Sequence, residues 1–137
     1  MSRTIAIGPT SGLFEYLCAT VIETLRRCTE AAGPGVPGAE LDRLSRSLTS
    51  RWDRYRRHRV GYELDASFPP SMTGRVSLSA GDDRVLLPGM VVALAPYLYC
   101  DDQPAGERFA AVVGGAIVIT ETGAERLSTL PLEVIRR

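Results

Sequence analysis

The residues most capable of chemistry lie in one short segment, from His58 to Asp65. His58 is the only histidine of the chain, and imidazole is the side chain whose ordinary pKa allows proton exchange near neutral pH. We therefore predict His58 as a general acid/base, with Tyr62 as a hydrogen-bond donor beside it. Glu63 and Asp65 are further candidates for proton transfer, so the predicted catalytic set has four members.

A regular β-strand cannot bring all four groups to one point, because alternate side chains face opposite sides. Glu63 and Asp65 share one side of such a strand, and Tyr62 lies on the other. Either His58 with Tyr62 or the carboxylate pair faces a common site, unless a bulge intervenes. The alternative for both pairs is a solvated surface, with His58 inside the arginine-rich run RWDRYRRHR and the carboxylates on an exposed strand face.

Arginines occupy positions 51, 54, 56, 57 and 59 around His58. Such a run is typical of an anion or nucleic-acid patch, or of a helix end whose cations complement the helix dipole. Sixteen basic and sixteen acidic residues cancel, so there is no overall field to attract nucleic acid or an anionic membrane. We expect neither partner. Arg59, Tyr97 and Tyr99 are instead predicted to bind a small substrate, although packing within a sheet is the alternative for the tyrosines.

The cysteines do not indicate a metal site or a disulfide framework. Their number is odd, and Cys18, Cys28 and Cys100 lack the CxxC or Cys/His spacing of zinc ligands. We expect buried free thiols, no metal and no cofactor.

The N-terminus lacks the architecture of a signal peptide, and no apolar run reaches the length of a spanning helix. We therefore expect a cytoplasmic protein. All of its basic residues are arginine, which favours a bacterial source with a high-GC genome.

Two amphipathic helices are predicted to precede the chemical segment, after a short strand at 3–7. The first, over 12–31, has apolar residues at helical steps: Phe14, Cys18, Val21, Leu25 and Cys28. The second, over 39–55, carries Leu41, Leu44, Leu48, Trp52 and Tyr55. The intervening run GPGVPG ends the first helix because its prolines and glycines do not continue helical structure.

The rest of the chain is β-prone and divided by turn residues. We predict strands at 59–65, 75–79, 89–97 and 107–120, the last bent at its glycine pair, followed by a turn, a short strand and a final helical turn. This order predicts a single α+β domain over 1–137, with two helices packed on a curved antiparallel sheet.

Several motifs resemble the creatinase and aminopeptidase P family, whose catalytic domain has the pita-bread fold. The runs LPGMVVALAPYLY at 87–99 and AIVITETGAERLSTLP at 116–131 resemble the end of that domain. HRVGY at 58–62 resembles its motif HRtGH, and FPPSM at 68–72 with GDDRVLLPGM at 81–90 is similar to the creatinase-like and ectoine-hydrolase-like branch. The resemblance covers nearly the whole chain and implies the C-terminal half of a pita-bread domain.

The resemblance also implies that the metal ligands are lost. Metal-dependent members hold two cations on two aspartates, a histidine and two glutamates, and this chain begins just after the place of the aspartates. The histidine position is Tyr62, and the glutamate positions are Ala95 and Gly114. Because a dinuclear site needs anionic bridges, we expect no bound metal and no metal-assisted peptide hydrolysis.

Creatinase-like members work without metal, and the resemblance gives His58 the place of a substrate-contacting histidine. The sequence departs from this branch as well. Its usual Trp-Gly-Glu reads Met72-Thr73-Gly74, and Ala93 replaces a polar residue. We therefore do not expect creatine or ectoine chemistry.

Two hypotheses for function follow from the resemblance. The first is a metal-independent enzyme that acts by acid/base chemistry on a small organic substrate, through hydrolysis, isomerisation, cyclisation or elimination, in specialised-metabolite biosynthesis. The second is a noncatalytic pseudopeptidase subunit that binds or scaffolds another chain. Since a lone half-domain exposes a sheet edge, we expect a homodimer or a partner chain that supplies the other half.

Overall fold

The computed structural model describes residues 1–66, 71, 73–102 and 108–137. Within these residues the helices are α1 (Gly12–Ala31) and α2 (Gly38–Thr49), and a 3-10 segment over Ser50–Tyr55 follows α2. The strands are β1 (Ile5–Ala6), β2 (Gly61–Leu64), β3 (Thr73–Leu78), β4 (Val91–Leu94), β5 (Tyr97–Cys100), β6 (Phe109–Val112), β7 (Gly115–Ile119), β8 (Ala124–Arg126) and β9 (Ile135–Arg136).

Five strands form an antiparallel sheet in the order β3-β2-β4-β7-β8. β5 and β6 form a separate antiparallel pair, and β1 pairs with β9 in parallel. α1 packs on β4, β6 and β8, while α2 packs on β3. The predicted α+β class, with two helices on antiparallel strands, is confirmed. Neither described helix is long and apolar enough to cross a membrane.

α1 forms as predicted. Its first turn is capped by Ser11, whose Oγ accepts a hydrogen bond from the Phe14 N–H at 3.2 Å. The predicted apolar face is buried along its whole length. Cys18 and Cys28 on this face are free thiols, and burial raises their pKa values to about 11 and about 12.

The second helix is shorter than the predicted range of 39–55. It ends at Thr49, and Trp52 in the following 3-10 segment has a φ of −114° and a ψ of 19°. Serine and threonine side chains compete for helical hydrogen-bonding groups, and the Thr49 hydroxyl donates to the Ser45 carbonyl at 2.8 Å in the last turn. The apolar pattern continues past the point where the α-helix stops.

Two of the predicted strands are divided. The strand at 89–97 breaks at Ala95–Pro96, and the one at 107–120, whose first residue lies outside the described ranges, breaks before β7 at Gly114. Proline has no N–H to donate to a sheet. A Cβ on Gly114 would lie 2.8 Å from the Leu94 carbonyl oxygen, so the backbones pass very closely at the two breaks. This crossing carries β5 and β6 away from the five-stranded sheet.

The end of the chain differs from the prediction of a final helical turn. Residues 135–136 instead form β9, with Ile5 beside Ile135 in parallel register. The Gly8 N–H donates to the Arg137 carbonyl at 3.0 Å and closes this pair. The short strand expected before it is present as β8.

The five-stranded sheet has one packed face and one open face. On β4, Val92 and Leu94 are fully buried in the same core as the α1 side chains, whereas Val91 and Ala93 are only half-buried. Burial alternates because successive side chains of a strand face opposite sides. Of the predicted chemical residues in β2, Tyr62 pairs with Ala93 and lies on the open face, whereas Glu63 pairs with Val92 and lies on the packed face.

Candidate functional site

A cavity of about 700 Å³ lies where β2 begins and β4 passes into β5. A volume of this size is typical of sites for small organic molecules. Its polar lining residues are Ser2, Arg57, His58, Arg59, Tyr62 and Tyr97, and Ala95 also lines it. The structure therefore brings together four of the residues singled out in the sequence, two predicted as catalytic and two as substrate-binding.

Gly61 fixes how β2 approaches this cavity. It pairs with Leu94 on β4, and a Cβ at Gly61 would lie only 2.2 Å from the Ala93 carbonyl oxygen. No larger residue fits this close contact between the strands without a backbone shift. The tight approach places Tyr62 and Ala95 in the wall of the same cavity.

The His58 ring rests against the ring of Tyr97. Their centroids are 5.7 Å apart with the planes tilted by 59°, an ordinary geometry for paired rings. Tyr97 stacks in turn on Tyr99, at 6.3 Å and nearly parallel. Tyr99 thus supports Tyr97 without lining the cavity. His58 is exposed and also lines the cavity, so solvent and a bound molecule both have access to its imidazole.

Glu63 points to a different place. Its Oε2 accepts hydrogen bonds from the backbone N–H groups of Arg75 at 2.6 Å and Val76 at 3.0 Å. The β2–β3 register shifts between Tyr62 and Leu64, at the position of Glu63. The carboxylate therefore substitutes for a missing strand partner at a bulge.

Gly74 leaves the room that this carboxylate occupies, since a Cβ there would lie 2.6 Å from the Glu63 Cδ. Asp65 is exposed just beyond the end of β2. Neither carboxylate is among the cavity-lining residues. Of the two alternatives left open by the sequence, the structure places His58 with Tyr62 at the cavity, and the catalytic roles themselves stay predictions.

Arg59 lies at the rim of the cavity with most of its donors available. Its Nη1 donates to the Ser77 Oγ at 3.1 Å, and its guanidinium carbon lies 4.8 Å from the centre of the Tyr62 ring. This distance is within the range of a cation–π contact. Within the described ranges, Arg59 has no carboxylate partner.

The neighbouring arginines are mostly paired with aspartates. The pairs are Arg57 with Asp101 at 3.2 Å, Arg54 with Asp102 at 3.5 Å, and Arg56 with Asp53. Pairing reduces the positive potential that the run of arginines would otherwise create. The expectation that nucleic acid is not a partner is consistent with this arrangement and stays a prediction.

The residues that the resemblance assigns to metal-ligand positions, Tyr62, Ala95 and Gly114, do not fit a dinuclear metal site. Ala95 lines the cavity with Tyr62, and a Cβ on Gly114 would lie 2.9 Å from the Ala95 Cβ. Ala95 and Gly114, the two positions assigned to glutamates, therefore lie next to each other, as two ligands of the same pair of metal ions would. Ala95 has only a methyl group there and Gly114 only a hydrogen, and the neighbouring Tyr62 has a phenol. Across the described residues, no group of three or more His, Cys, Asp or Glu is placed to hold a metal ion.

Sequence reasoning missed Ser2 as a lining residue. Ser2 reaches the cavity because it pairs with Gly114, with N–H to carbonyl hydrogen bonds of 3.0 Å in both directions. No local pattern identifies such a contact between distant parts of the chain. The motif FPPSM, apart from Ser71, and Met72 of the altered Trp-Gly-Glu motif lie outside the described residues.

Comparison with known proteins gives consistent matches. Residues 1–122 match the model of metallopeptidase family M24. The chain is 29% identical over 139 residues to an ectoine hydrolase of Halomonas elongata, covering 98% of this chain and 33% of that protein. It is 28% identical to a Xaa-Pro dipeptidase of Pyrococcus furiosus, covering 98% of this chain and 37% of that protein.

Solved structures match the fold. The prolidase from Pyrococcus furiosus superposes with a TM-score of 0.82 at 27% identity, over 94% of this chain and 36% of that one. The Xaa-Pro dipeptidase from Bacillus anthracis superposes with a TM-score of 0.86 at 26% identity, over 98% and 36%. These matches confirm the predicted half pita-bread fold. The chain spans about a third of the length of the curated relatives it matches.

Proposed function

The chain belongs to metallopeptidase family M24, and within this family we propose that it is a metal-independent member acting by acid/base chemistry on a small organic substrate. Membership confirms the resemblance read from the motifs, and the relatives named above are peptidases and hydrolases. One observation carries the proposal. His58 and Tyr62 line the cavity, and the positions that the resemblance assigns to metal ligands hold Tyr62, Ala95 and Gly114, which provide no carboxylate or imidazole.

The roles follow from where the groups lie. His58 takes a proton from the substrate or gives one to it, since imidazole does both near neutral pH. Its contact with Tyr97 limits the orientations of the ring, and Tyr62 donates a hydrogen bond to the substrate from the same wall. Hydrolysis, isomerisation, cyclisation and elimination all need such a proton transfer, and the proposal covers this group of reactions.

Turnover by matched variants tests the proposal. The protein is incubated with a panel of amides, cyclic amidines and N-acyl amino acids, and substrate loss is followed by mass spectrometry. We expect His58→Gln to lower turnover by a factor of about 100 or more, the usual contribution of a general acid/base. Arg43→Gln, at an exposed position of α2, serves as the control and should match the parent. Equal rates for the parent and His58→Gln would refute the role of His58.

Metal independence has its own test. The protein is loaded with manganese or cobalt, desalted and examined by elemental analysis. We expect well under one metal ion per chain, and turnover that is unchanged by a chelator, because the ligand positions lack carboxylate and imidazole groups. A stoichiometric ion that is required for turnover would contradict the proposal.

A second candidate function is a noncatalytic binding subunit. It is favoured by the absence of any aspartate or glutamate from the cavity lining among the described residues, so that His58 has no carboxylate there to orient it. In this case neither the parent nor His58→Gln transforms any member of the panel. Reproducible, His58-dependent turnover would exclude it.

We also propose that the chain pairs with a second copy or with a chain that supplies the complementary half. Support comes from the exposed apolar side chains of Ile5 (58%) and Ile7 (83%) at β1. Light scattering at micromolar concentration should give more than the monomer mass, and Ile7→Glu should weaken association. Leu127→Glu, at another exposed apolar position, is the matched control. A monomeric parent would contradict pairing with a second copy and leave only a different partner chain.

A further inference from the structure

We infer that the cavity takes a small organic carboxylate, whose charged end binds Arg59 and whose apolar end lies against Tyr62 and Tyr97. The inference rests on the proposed function for its site, and it adds the chemical class of the ligand. Its first support is the charge of the lining. Arg57, His58 and Arg59 face the cavity, and no acidic residue does so within the described ranges.

The available positive charge is concentrated on Arg59. Arg57 is already paired with Asp101 at 3.2 Å, so much of its charge is compensated. Among the described residues, Arg59 has only the neutral hydroxyl of Ser77 as a hydrogen-bond acceptor, at 3.1 Å. A guanidinium has five N–H donors in a planar fork. The donors that Ser77 does not use match the two oxygens of a carboxylate.

The geometry of Arg59 is already set for such a ligand. The Arg59 Nη1 donates to the Ser77 Oγ on one edge of the guanidinium, and the Arg59 Cζ lies 4.8 Å from the centre of the Tyr62 ring on one face. A side chain held on an edge and a face loses less rotamer freedom when it binds a carboxylate. Arg59 therefore gains more from binding than a free surface arginine would.

The rest of the wall suits an apolar group. The Tyr97 ring is held between His58 at 5.7 Å and Tyr99 at 6.3 Å, and Ala95 and Val112 continue the lining. Aromatic faces favour planar or apolar ligand groups. The combination of one uncompensated cation with this wall selects a monoanion with an apolar body. A polyanion would need several such cations, whereas the neighbouring arginines are paired.

Calorimetric titration with simple probes tests this inference. Benzoate has both features, benzamide keeps the ring without the charge, and acetate keeps the charge without the ring. We expect benzoate to bind at least tenfold more tightly than either. Arg59→Gln should weaken benzoate binding at least tenfold and leave benzamide binding unchanged, because only the charge-assisted hydrogen bonds are lost. Tyr97→Ala should weaken the binding of benzoate and benzamide alike.

Arg43→Gln is the control for loss of one positive charge away from the cavity, and it should bind benzoate as the parent does. Far-UV circular dichroism confirms that each variant is folded. Equal affinities for benzoate and benzamide, no detectable benzoate binding by the parent, or benzoate binding unaffected by Arg59→Gln would each overturn the inference.

The two proposals fail separately. Benzoate binding through Arg59 without any His58-dependent turnover refutes the enzyme and leaves the carboxylate site. Turnover that depends on His58, combined with equal affinity for benzoate and benzamide, refutes the carboxylate site and leaves the enzyme.

Discussion

The two faces of the five-stranded sheet differ in how they use the same strands. On β4, the side chains of Val92 and Leu94 are completely buried, whereas Val91 and Ala93 on the other face are half-exposed. The packed face holds α1 and α2, and the open face adjoins the cavity. The scaffold of the family is therefore retained on one face, and the cavity adjoins the other.

Polar side chains also differ between the packed part of the molecule and the cavity. The carboxylates of Glu63 and Asp82 are committed to backbone N–H groups of their own chain, where they stabilise turns and a bulge. His58 and Arg59, in contrast, face the cavity with donors or acceptors left for another molecule. Substitutions on the packed side should cost stability, and substitutions in the cavity should cost binding or turnover.

The largest effect is expected in the core. Leu94→Ala should lower the free energy of unfolding by about 2–5 kcal/mol, because it removes a fully buried side chain and leaves a cavity. Val91→Ala, on the open face of the same strand, should cost about 1 kcal/mol or less. Urea unfolding measures both. Similar losses for the two variants would show that the faces are not packed differently.

A second prediction concerns the bulge. Gly74→Ala should destabilise the fold by about 1–3 kcal/mol, because the new methyl group would lie 2.6 Å from the Glu63 side chain. Most of this penalty should disappear in a Glu63→Ala background, where the clashing group is gone. A double-mutant cycle measures the coupling free energy. Additive effects would mean that Glu63 does not occupy the space above Gly74.

Asp82 provides a pH prediction for the packed side. Hydrogen bonds from the Arg84 guanidinium, helped by the backbone N–H groups of Ser77 and Arg84, lower the pKa of the Asp82 carboxyl to about 2 although burial opposes this. The unfolded value is near 3.9, so the stabilisation is present above that pH. It is lost as pH falls from about 5 to about 2.

Asp82→Asn should therefore flatten the dependence of the unfolding midpoint on acid pH. Glu15 also has a pKa lowered to about 2, through Arg136 and then Thr10. Because the Glu15 side chain is 40% exposed to solvent, Glu15→Gln should flatten the curve less. A larger effect from Glu15→Gln would reverse the expected order.

The smallest stability effect is expected in the cavity. His58→Gln should change the free energy of unfolding by less than about 0.5 kcal/mol, since His58 is exposed and its main contact is one ring face. The same variant is expected to lose turnover. Thermal and urea unfolding check the first expectation, and a loss of several kcal/mol would place His58 among the structural residues.

Periodicity predicted the elements whose local pattern agrees with their packing. α1 has a regular apolar stripe and a Ser11 cap, and it is present over its predicted range. A bend at the glycine pair of the run 107–120 was predicted, whereas the break of the run 89–97 at Ala95–Pro96 was not. Both breaks depend on the close backbone crossing of Gly114 and Leu94. Only the folded chain brings those two positions together.

The site was predictable only where its residues form a local sequence pattern. His58, Arg59 and Tyr62 are neighbours in sequence, and Tyr97 lies in a recognisable motif, so all four were named. Strand alternation left two orientations open, and the bulge that ties Glu63 to β3 was foreseen only as an exception. Ser2 enters through a pairing with Gly114 that has no local signature.

The buried thiols of α1 have a practical consequence. Cys18 and Cys28 have pKa values raised to about 11 and about 12, so in the native protein they react slowly with alkylating reagents near neutral pH. Modification at these positions requires α1 to separate from the sheet. The rate at which a maleimide labels them would therefore report transient opening of the helix layer, without any introduced cysteine.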